Sequence, residues 1–337
     1  GFVTVFLALT MRNRSVKITF MALAALSSLC TGLMLAHAQP YPAKPVRIVV
    51  GFPPGGATDV VARTLSQKLG EALGQSVIVD NRAGAASNIA AELVAQAPKD
   101  GHTLLMGTVS TSINPSLYLR LAYDPLRDFT PVAQVTATPF LFVVHPSLPA
   151  RNVKEFIALA RSKPGELNYA SAGSGSGAHL FVEMFASMTG VKLQHVPYKG
   201  AAPAATATLS GETIFMFENI VTALPLARAG KLRSLAVTTS TRSAAAPEIV
   251  TLAQAGVPGY DANAWFGLFA PTGTPQAIVN RLNAEIVRIV KLPETRERFL
   301  TLGAEPVGST AEQFGAFFKS EVAKWARVVK ESGARVE

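Results

Sequence analysis

The chain has 337 residues, 49% hydrophobic and 16% charged, which predicts a folded protein with a large buried core and about two domains. A single cysteine excludes a disulfide framework, a cysteine-based zinc site and an iron–sulfur cluster. The formal net charge of +9 favours anionic partners without determining a fold.

The N-terminal segment has the pattern of a secretory signal peptide. We expect Met11 to be the start of translation and residues 1–10 to be upstream read-through. A basic stretch follows Met11, and an almost wholly apolar run extends from 18 to 35. Ala36-His37-Ala38 matches a small-x-small cleavage site, which predicts a mature chain that begins at Gln39 in an oxidising, exported compartment. An uncleaved membrane anchor is the alternative, because the run approaches spanning length.

The rest of the chain has scattered basic residues and no second apolar segment of spanning length. The mature protein is therefore predicted to be soluble. A stripe of lysine and arginine, the usual mark of a nucleic-acid-binding protein, is missing from the sequence. Of the anionic partners that the charge favours, nucleic acid is thus the least expected.

The first part of the mature chain alternates between short apolar runs and helical periodicity. Strands are predicted at 46–50, 77–79 and 103–106, and helices at about 56–73 and around Ile89 and Leu93. This β-α-β-α-β order predicts a parallel sheet with helices on its faces.

The middle of the chain repeats the alternation and predicts a second α/β unit. Its strands are predicted at 140–144, 167–170, 193–196, 213–217 and 235–238, and its helices at 153–162, through Phe181 and Phe185, and at 201–207. A strand at 265–270 returns from this unit, and the remainder is helical, with a capping box predicted at Ser309-Thr310-Ala311-Glu312.

The predicted fold is an α/β clamp of two lobes. One lobe comprises 39–141 together with 266–337, and the other comprises 142–265. Because the chain crosses between them twice, near 140–144 and 265–270, the crossings form a natural hinge and a ligand is expected between the lobes.

Three glycine- or hydroxyl-rich loops follow predicted strands. The first, 51–59 (GFPPGGATD), leads into a helix, whose unpaired N–H groups and dipole suit an anion; a simple capped turn is the alternative. It lacks the Gly-Lys-Ser/Thr of a phosphate-binding P-loop. The third, 107–115 (GTVSTSINP), lies just past a strand end, where open α/β sheets bind ligands, although ordinary loop polarity explains it equally well.

The second loop, 171–179 (SAGSGSGAH), satisfies the dinucleotide pattern G-x-G-x-x-A. The next strand should then end in an acid for the ribose, but His195, Tyr198 and Lys199 stand there instead, which argues against NAD. The loop also misses the nucleophile elbow G-x-S-x-G, since Gly175 occupies the serine position. Capture of a carboxylate fits its hydroxyls and free N–H groups better than nucleophilic attack.

Few side chains outside the loops suggest chemistry. The histidines lack metal-ligand spacing, and only His179 is kept as a candidate, because it follows the glycine loop directly. Asp59 and Glu218 could meet a ligand amine or hydroxyl; a helix-start carboxylate and a solvated acid are their alternatives. No acid/base pair implies catalysis, so no enzyme, cofactor or metal is predicted.

The order and spacing of several motifs together resemble the substrate-binding proteins of tripartite tricarboxylate transporters, the Bug-type periplasmic receptors. The matching stretches are 41–42 (YP), 45–50 (PVRIVV), 52–59 (FPPGGATD), 62–63 (AR), 114–115 (NP), 169–175 (YASAGSG), 179–180 (HL), 195–200 (HVPYKG), 265–268 (WFGL) and 270–275 (APTGTP). The resemblance extends over essentially all of 39–337.

This resemblance implies a type II periplasmic binding fold that closes around a small carboxylate in the periplasm. It also implies that backbone groups and bridging waters of the loops hold one carboxylate, at 52–57 and 174–177 here. Where the family often has Phe-Asp-Asn, this chain has Phe217-Glu218-Asn219, so ligand identity does not transfer. A monomeric receptor with membrane permease subunits as partners is expected; a sensory receptor and, less so, a secreted α/β enzyme are the alternatives.

The loops and the resemblance together predict a set of ligand-binding residues. They are Phe52, Pro54, Gly55, Gly56, Ala57, Asp59, Thr108, Ser110, Thr111, Ser171, Ser174, Gly175, Ser176, Gly177, His179, Lys199, Gly200 and Glu218. The expected ligand is a dicarboxylate or tricarboxylate, an amino acid or an aromatic acid.

Overall fold

The structure, a computed structural model, describes residues 41–335. The predicted signal peptide, its cleavage site and Gln39 lie outside these residues. The chain from Lys44 onward forms one compact unit, to which the description below applies. Between residues 41 and 335, no helix is both long enough and apolar enough to cross a membrane.

The described residues form an α/β fold. The strands are β1 (Val46–Val50), β2 (Val77–Asn81), β3 (Thr103–Thr108), β4 (Phe129–Val144), β5 (Asn168–Ser171), β6 (Gln194–Pro197), β7 (Phe215–Asn219), β8 (Arg233–Val237), β9 (Asn263–Pro271) and β10 (Glu305–Pro306). The α-helices are α1 (Ala57–Leu73), α2 (Asn88–Ala95), α3 (Val109–Leu117), α4 (Pro125–Asp128), α5 (Val153–Ser162), α6 (Gly177–Thr189), α7 (Ala201–Ser210), α8 (Ile220–Arg228), α9 (Gln276–Lys291), α10 (Pro293–Thr301) and α11 (Ala311–Ser332).

The strands form a sheet in the order β2-β1-β3-β9-β4-β7-β5-β6, with β8 and β10 also paired to β4. Strand β1 is parallel to β2 and β3, and β5 is parallel to β6 and β7. Both parallel groups alternate with helices, as the sequence predicts. The antiparallel strands β4 and β9 connect the two groups.

Strand β4 belongs to both halves of the sheet. Its residues 129–139 pair with β9, whereas 140–144 pair with β7 and β8. The sequence predicts only the second part, because threonine, glutamine and proline interrupt the apolar pattern of the first. We call β1–β3, β9, β10 and 129–139 the first half, and β5–β8 with 140–144 the second half. The lobe limits predicted from the sequence remain predictions.

Each half of the sheet has a core of packed aromatic rings. In the second half, Phe142 contacts rings at centroid distances of 4.7–5.6 Å, namely Phe156, Phe185, Phe215 and Phe217. In the first half, Trp265 and Phe269 pack against Phe314 and Phe318 of α11. The C-terminal helix also reaches the second half, where Trp325 stacks on Phe181 of α6 at 5.2 Å.

Two local predictions are wrong. Residues 109–117 form helix α3 rather than a loop, because the Thr108 side chain caps the helix and accepts a hydrogen bond from Ser110 N–H. The last helix has its capping box at Thr310 and Gln313, one residue later than predicted. Ser309 is not the cap, since its hydroxyl accepts a hydrogen bond from Gln134 N–H of β4 instead.

Candidate functional site

Five helices begin around one cleft. Each of α1, α3, α6, α7 and α8 follows directly on a strand of a parallel group, namely β1, β3, β5, β6 and β7. The residues of their first turns and caps that line the cleft are Gly56, Ala57, Thr58, Thr108, Val109, Ser110, Ser176, Gly177, Ala178, Ala201 and Asn219. The first N–H groups of a helix lack internal partners, and the helix dipole places positive potential there. The cleft is therefore suited to an anion.

The space between atoms in the cleft amounts to about 570 Å³, including the part that is open to solvent. Its apolar walls are Phe52, Phe140, Trp265 and Phe266. Its lining among residues 41–335 contains hydroxyls, one carboxyl and one amide, but no lysine, arginine or histidine. An anion in this cleft would thus meet main-chain N–H groups and hydroxyls, without a cationic side chain.

The first loop is held from behind by Asp59. Oδ2 of Asp59 accepts hydrogen bonds from Gly55 N–H (3.1 Å) and from Arg63 Nε (2.9 Å), while Oδ1 accepts one from Asn81 Nδ2 (3.0 Å). The same amide of Asn81 donates to Phe52 O at 3.0 Å. Burial raises the pKa of Asp59, but the hydrogen bonds from Arg63, Gly55 and Asn81 outweigh it, and the pKa is lowered. Asp59 is not part of the cleft lining; it fixes the loop.

The second loop rests on a column of stacked rings. His179 stacks on His195 at 4.1 Å between centroids, and His195 stacks on Tyr169 at 4.9 Å. His179 Nδ1 accepts a hydrogen bond from Gly175 N–H, and His195 Nε2 lies 2.6 Å from Ser171 Oγ. Burial lowers the pKa of His179 to about 3, with His195 adding to the shift, and burial lowers that of His195 to about 4. Both histidines are therefore neutral supports of the loop, outside the cleft lining.

The start of α3 places a hydroxyl in the cleft. Thr108 and Thr111 form a capping box, in which Thr111 Oγ1 accepts a hydrogen bond from Thr108 N–H at 3.2 Å. Thr111 thereby serves the helix rather than the cleft. Ser110 lines the cleft and is 1% exposed, and its Oγ has no hydrogen-bond partner within the described part of the chain. A buried hydroxyl of this kind costs free energy unless a ligand or water pairs with it.

The only carboxyl in the described lining belongs to Glu218, at the end of β7. It is 3% exposed, and its Oε1 accepts a hydrogen bond from Thr222 Oγ1 one turn into α8. Burial raises the pKa of Glu218 to about 7, although hydrogen bonds from Thr222 and from the backbone of Asn219 oppose the rise. The Asn219 side chain caps α8 through Val221 N–H and donates to Thr138 Oγ1 at 2.7 Å. Glu218 can thus be neutral or ionised near neutral pH.

The structure brings together part of the set predicted from the sequence. The predicted residues that line the cleft are Phe52, Gly56, Ala57, Thr108, Ser110, Ser176, Gly177 and Glu218. The predicted residues outside its lining are Pro54, Gly55, Asp59, Thr111, Ser171, Ser174, Gly175, His179, Lys199 and Gly200. Lys199 is exposed, whereas Gly200 precedes the first turn of α7.

Several lining residues are absent from the set predicted from the sequence. Pro53, Thr58, Val109, Ala172 and Ala178 lie in the three predicted loops, and Pro53 falls within the 52–57 stretch implied by the resemblance; Phe140, Ala201, Asn219, Ala264, Trp265 and Phe266 come from other elements. The sequence contained a signal for two of these regions. A helix was predicted to begin at 201, and the Trp265-Phe266 pair lies in a motif of the resemblance. Neither showed by itself that these residues face the same cleft.

The two sides of the cleft touch at glycines. A Cβ on Gly200 would lie 2.8 Å from Cγ of Pro53, and one on Gly177 would lie 2.8 Å from Cγ1 of Val109. A Cβ on Gly175 would lie 3.0 Å from the Cβ of Ala86. Glycine is thus required where helix starts and loops of the two sheet halves meet.

The described residues contain no group of three histidine, cysteine, aspartate or glutamate side chains that could hold a metal ion. The groups that line the cleft are suited to binding. Its main-chain donors, the hydroxyl of Ser110 and its apolar walls form a recognition surface for an anion with a carbon skeleton.

Comparison with known proteins gives consistent matches. The sequence profile of the family described as "Tripartite tricarboxylate transporter family receptor" matches residues 61–334. The chain is similar to protein BugT of Bordetella pertussis, with 38% identity over 89% of this chain and 93% of BugT.

Two solved structures from Rhodopseudomonas palustris are also similar to this chain. One, described as Rpa4515 with adipate, has a TM-score of 0.85 and 39% identity, and the match covers 88% of this chain and all of that one. The other, MatC with bound malate, has a TM-score of 0.82 and 36% identity, covering 86% of this chain and all of that one.

Proposed function

Because the chain belongs to the tripartite tricarboxylate transporter receptor family, with its two-lobe type II periplasmic binding fold, we propose that it binds a small carboxylate in the cleft described above. The family is one of solute-binding receptors, so the protein's task is to capture a solute and not to convert it. A dicarboxylate is the ligand class proposed here, since the similar receptors of R. palustris are described with adipate and with malate.

The observation that carries this proposal is the convergence of five helix N-termini on a cleft without a basic side chain in its described lining. Such a site favours a delocalised anion that accepts several hydrogen bonds at once, as a carboxylate does. The unpartnered hydroxyl of Ser110 adds a donor. The aromatic walls, among them Phe140 and Trp265, suit the carbon chain that joins two carboxylates.

Capture is proposed to involve closure of two lobes, with limits at 39–141 plus 266–337 and 142–265. Helices α1 and α3 follow strands of the first half of the sheet, whereas α6, α7 and α8 follow strands of the second. A ligand that accepts hydrogen bonds from both groups stabilises the closed arrangement over an open one. The complex then meets its membrane permease, and we place the mature, monomeric protein in the periplasm.

A ligand screen tests the proposal. Adipate, malate, succinate, citrate, nicotinate, aspartate and glutamate are titrated while melting is recorded, followed by calorimetry with any compound that stabilises the protein. Ligand at about 100 times its dissociation constant should add about 2.7 kcal/mol to the free energy of unfolding. If no carboxylate raises the melting temperature, while an ester or NAD is turned over, the receptor function is wrong.

The variant Ser110→Ala tests the location of the site. Loss of a hydrogen bond to a charged ligand group should cost about 1.5–3 kcal/mol of binding free energy, a roughly ten- to hundredfold rise in the dissociation constant. Ser162→Ala is a matched control, because Ser162 is exposed and its hydroxyl donates only to Leu159 O within α5. Equal affinity of both variants would place the ligand elsewhere.

A further inference from the structure

We propose that Glu218 binds the ligand as a neutral carboxylic acid and donates its proton to a ligand oxygen, so that the cleft takes a dicarboxylate without an amino group. The inference rests on the proposed function and specifies its ligand. It makes Glu218 a specificity-determining residue and couples capture of the ligand to uptake of a proton.

Between residues 41 and 335, Glu218 has no cationic partner to balance a buried negative charge. Glu218 is 3% exposed and forms no ion pair with any residue between 41 and 335. Its contacts are Thr222 and the backbone of Asn219, and its register partner on β4 is Leu141. A buried carboxylate without a cation is costly, and protonation removes most of that cost.

The elements packed against β7 do not change this conclusion. Strand β4 and helix α7 carry no titratable or charged residue. On β5 and α6, Tyr169 OH donates to Glu183 Oε1 at 2.6 Å, and His179 Nε2 lies 3.9 Å from the same oxygen. On α8, Arg228 donates to Ala245 O at 2.7 Å. These four side chains have partners of their own, and none of them contacts Glu218.

A dicarboxylate makes the ionised form of Glu218 still less favourable. Three carboxylates would then share a desolvated cleft whose described lining has no cationic side chain, and like charges at short distance raise the pKa of the most buried group. Since burial raises the pKa of Glu218 to about 7 even against the hydrogen bonds from Thr222 and the backbone of Asn219, little free energy is needed to protonate it near neutral pH. The neutral acid supplies an O–H donor where an ionised one supplies only acceptors.

An amino acid is the competing ligand class, since its ammonium group would bind an ionised Glu218. The positive ends of five helix dipoles point at the cleft, and α8 begins two residues after Glu218. Their potential opposes an ammonium group at this position, and it offsets only part of the cost of ionising Glu218. The two ligand classes therefore predict opposite effects of pH.

The test uses calorimetry of the intact protein with adipate and succinate at pH 6, 7 and 8, each in two buffers of different ionisation enthalpy. With half of Glu218 ionised at pH 7, wild-type protein should take up about half a proton per ligand bound. Its affinity should fall about tenfold from pH 6 to pH 8, because the competent neutral fraction falls by that factor. This measurement needs no variant.

Glu218→Gln imitates the neutral acid. It should bind adipate or succinate within a few-fold of the wild type at pH 6, with neither pH dependence nor proton uptake. Glu212→Gln is the matched control: Glu212 is exposed, accepts a hydrogen bond from Tyr198 OH and lies outside the cleft lining, so its variant should keep the wild-type pH profile.

Several results would overturn the inference and leave the proposed function intact. They are binding without proton uptake, affinity that rises from pH 6 to pH 8, or binding of aspartate or glutamate alone that Glu218→Gln abolishes. If none of the carboxylates of the ligand screen binds the wild type at any pH, the proposed function itself fails, and the inference fails with it.

Discussion

Replacing Asp59 with alanine should loosen the first glycine loop and destabilise the fold without removing a cleft-lining group. The variant deletes the acceptor of three hydrogen bonds, from Gly55 N–H, Arg63 Nε and Asn81 Nδ2. Hydrogen bonds to a charged group contribute about 1.5–3 kcal/mol each. The side chain of Arg63 is 54% exposed, so that pair contributes only about 0–1 kcal/mol. Taking the lower figure for the other two, we expect a loss of about 3 kcal/mol.

The dependence on pH supplies a second measurement on the same residue. Because the folded pKa of Asp59 is lowered from 3.8, its ionisation stabilises the folded state above that pH. This contribution is lost as the pH falls through the lower folded value. The difference in unfolding free energy between wild type and Asp59→Ala should therefore be full at pH 7 and shrink below about pH 4.

Urea denaturation at several pH values provides the assay, with Arg63→Ala as the matched control. The control should cost less than about 1 kcal/mol, since Gly55 and Asn81 keep their acceptor. Should Arg63→Ala cost as much as Asp59→Ala, or should Asp59→Ala leave stability unchanged, the role of Asp59 in holding the loop is refuted.

Two further substitutions test the cleft wall and its closure. The buried indole N–H groups of Trp265 and Trp325 both donate to Glu321 Oε2, so Glu321→Ala leaves both without an acceptor. This variant should lose about 2–5 kcal/mol of unfolding free energy in denaturation experiments. Glu321→Gln keeps an acceptor oxygen and should lose much less. Gly200→Ala places a methyl group 2.8 Å from Pro53 across the cleft and should weaken carboxylate binding at least tenfold by calorimetry. Gly211→Ala is the control, because Gly211 also has a positive φ but its added Cβ would lie 3.6 Å from Cε1 of His145. This variant should lower stability without changing affinity. Equal losses of affinity in the two variants would contradict the role of closure.

Much of the local structure could be predicted from the sequence, because its signals are local. The apolar run at 46–50 and the amphipathic periodicity at 153–162 gave the observed bounds of β1 and α5. The prediction failed where a distant partner decides the outcome. Residues 129–139 form a strand because β9 pairs with them, and Ser309 does not cap α11 because Gln134 N–H takes its hydroxyl.

The candidate site likewise has features that local sequence predicts and features that depend on distant parts of the chain. Glycine loops leading into α1 and α6 were recognisable as potential anion sites, since glycine spacing and a helix start are read from neighbouring residues. The supporting roles of Asp59 and His179, in contrast, depend on which side of the loop each residue lies. Both were predicted as ligand contacts, and the structure places both outside the cleft lining, where they hold loop N–H groups.

The amino-acid sequence by itself determined the alternation of strands and helices, the α/β class and the family, because periodicity, capping and motif order are properties of adjacent residues. Only the tertiary structure decided that five helix starts share one cleft with Trp265 and Glu218. The reason is sheet topology: helices that follow parallel strands begin at the same edge, and β4 and β9 join the two parallel groups so that both edges border one cleft.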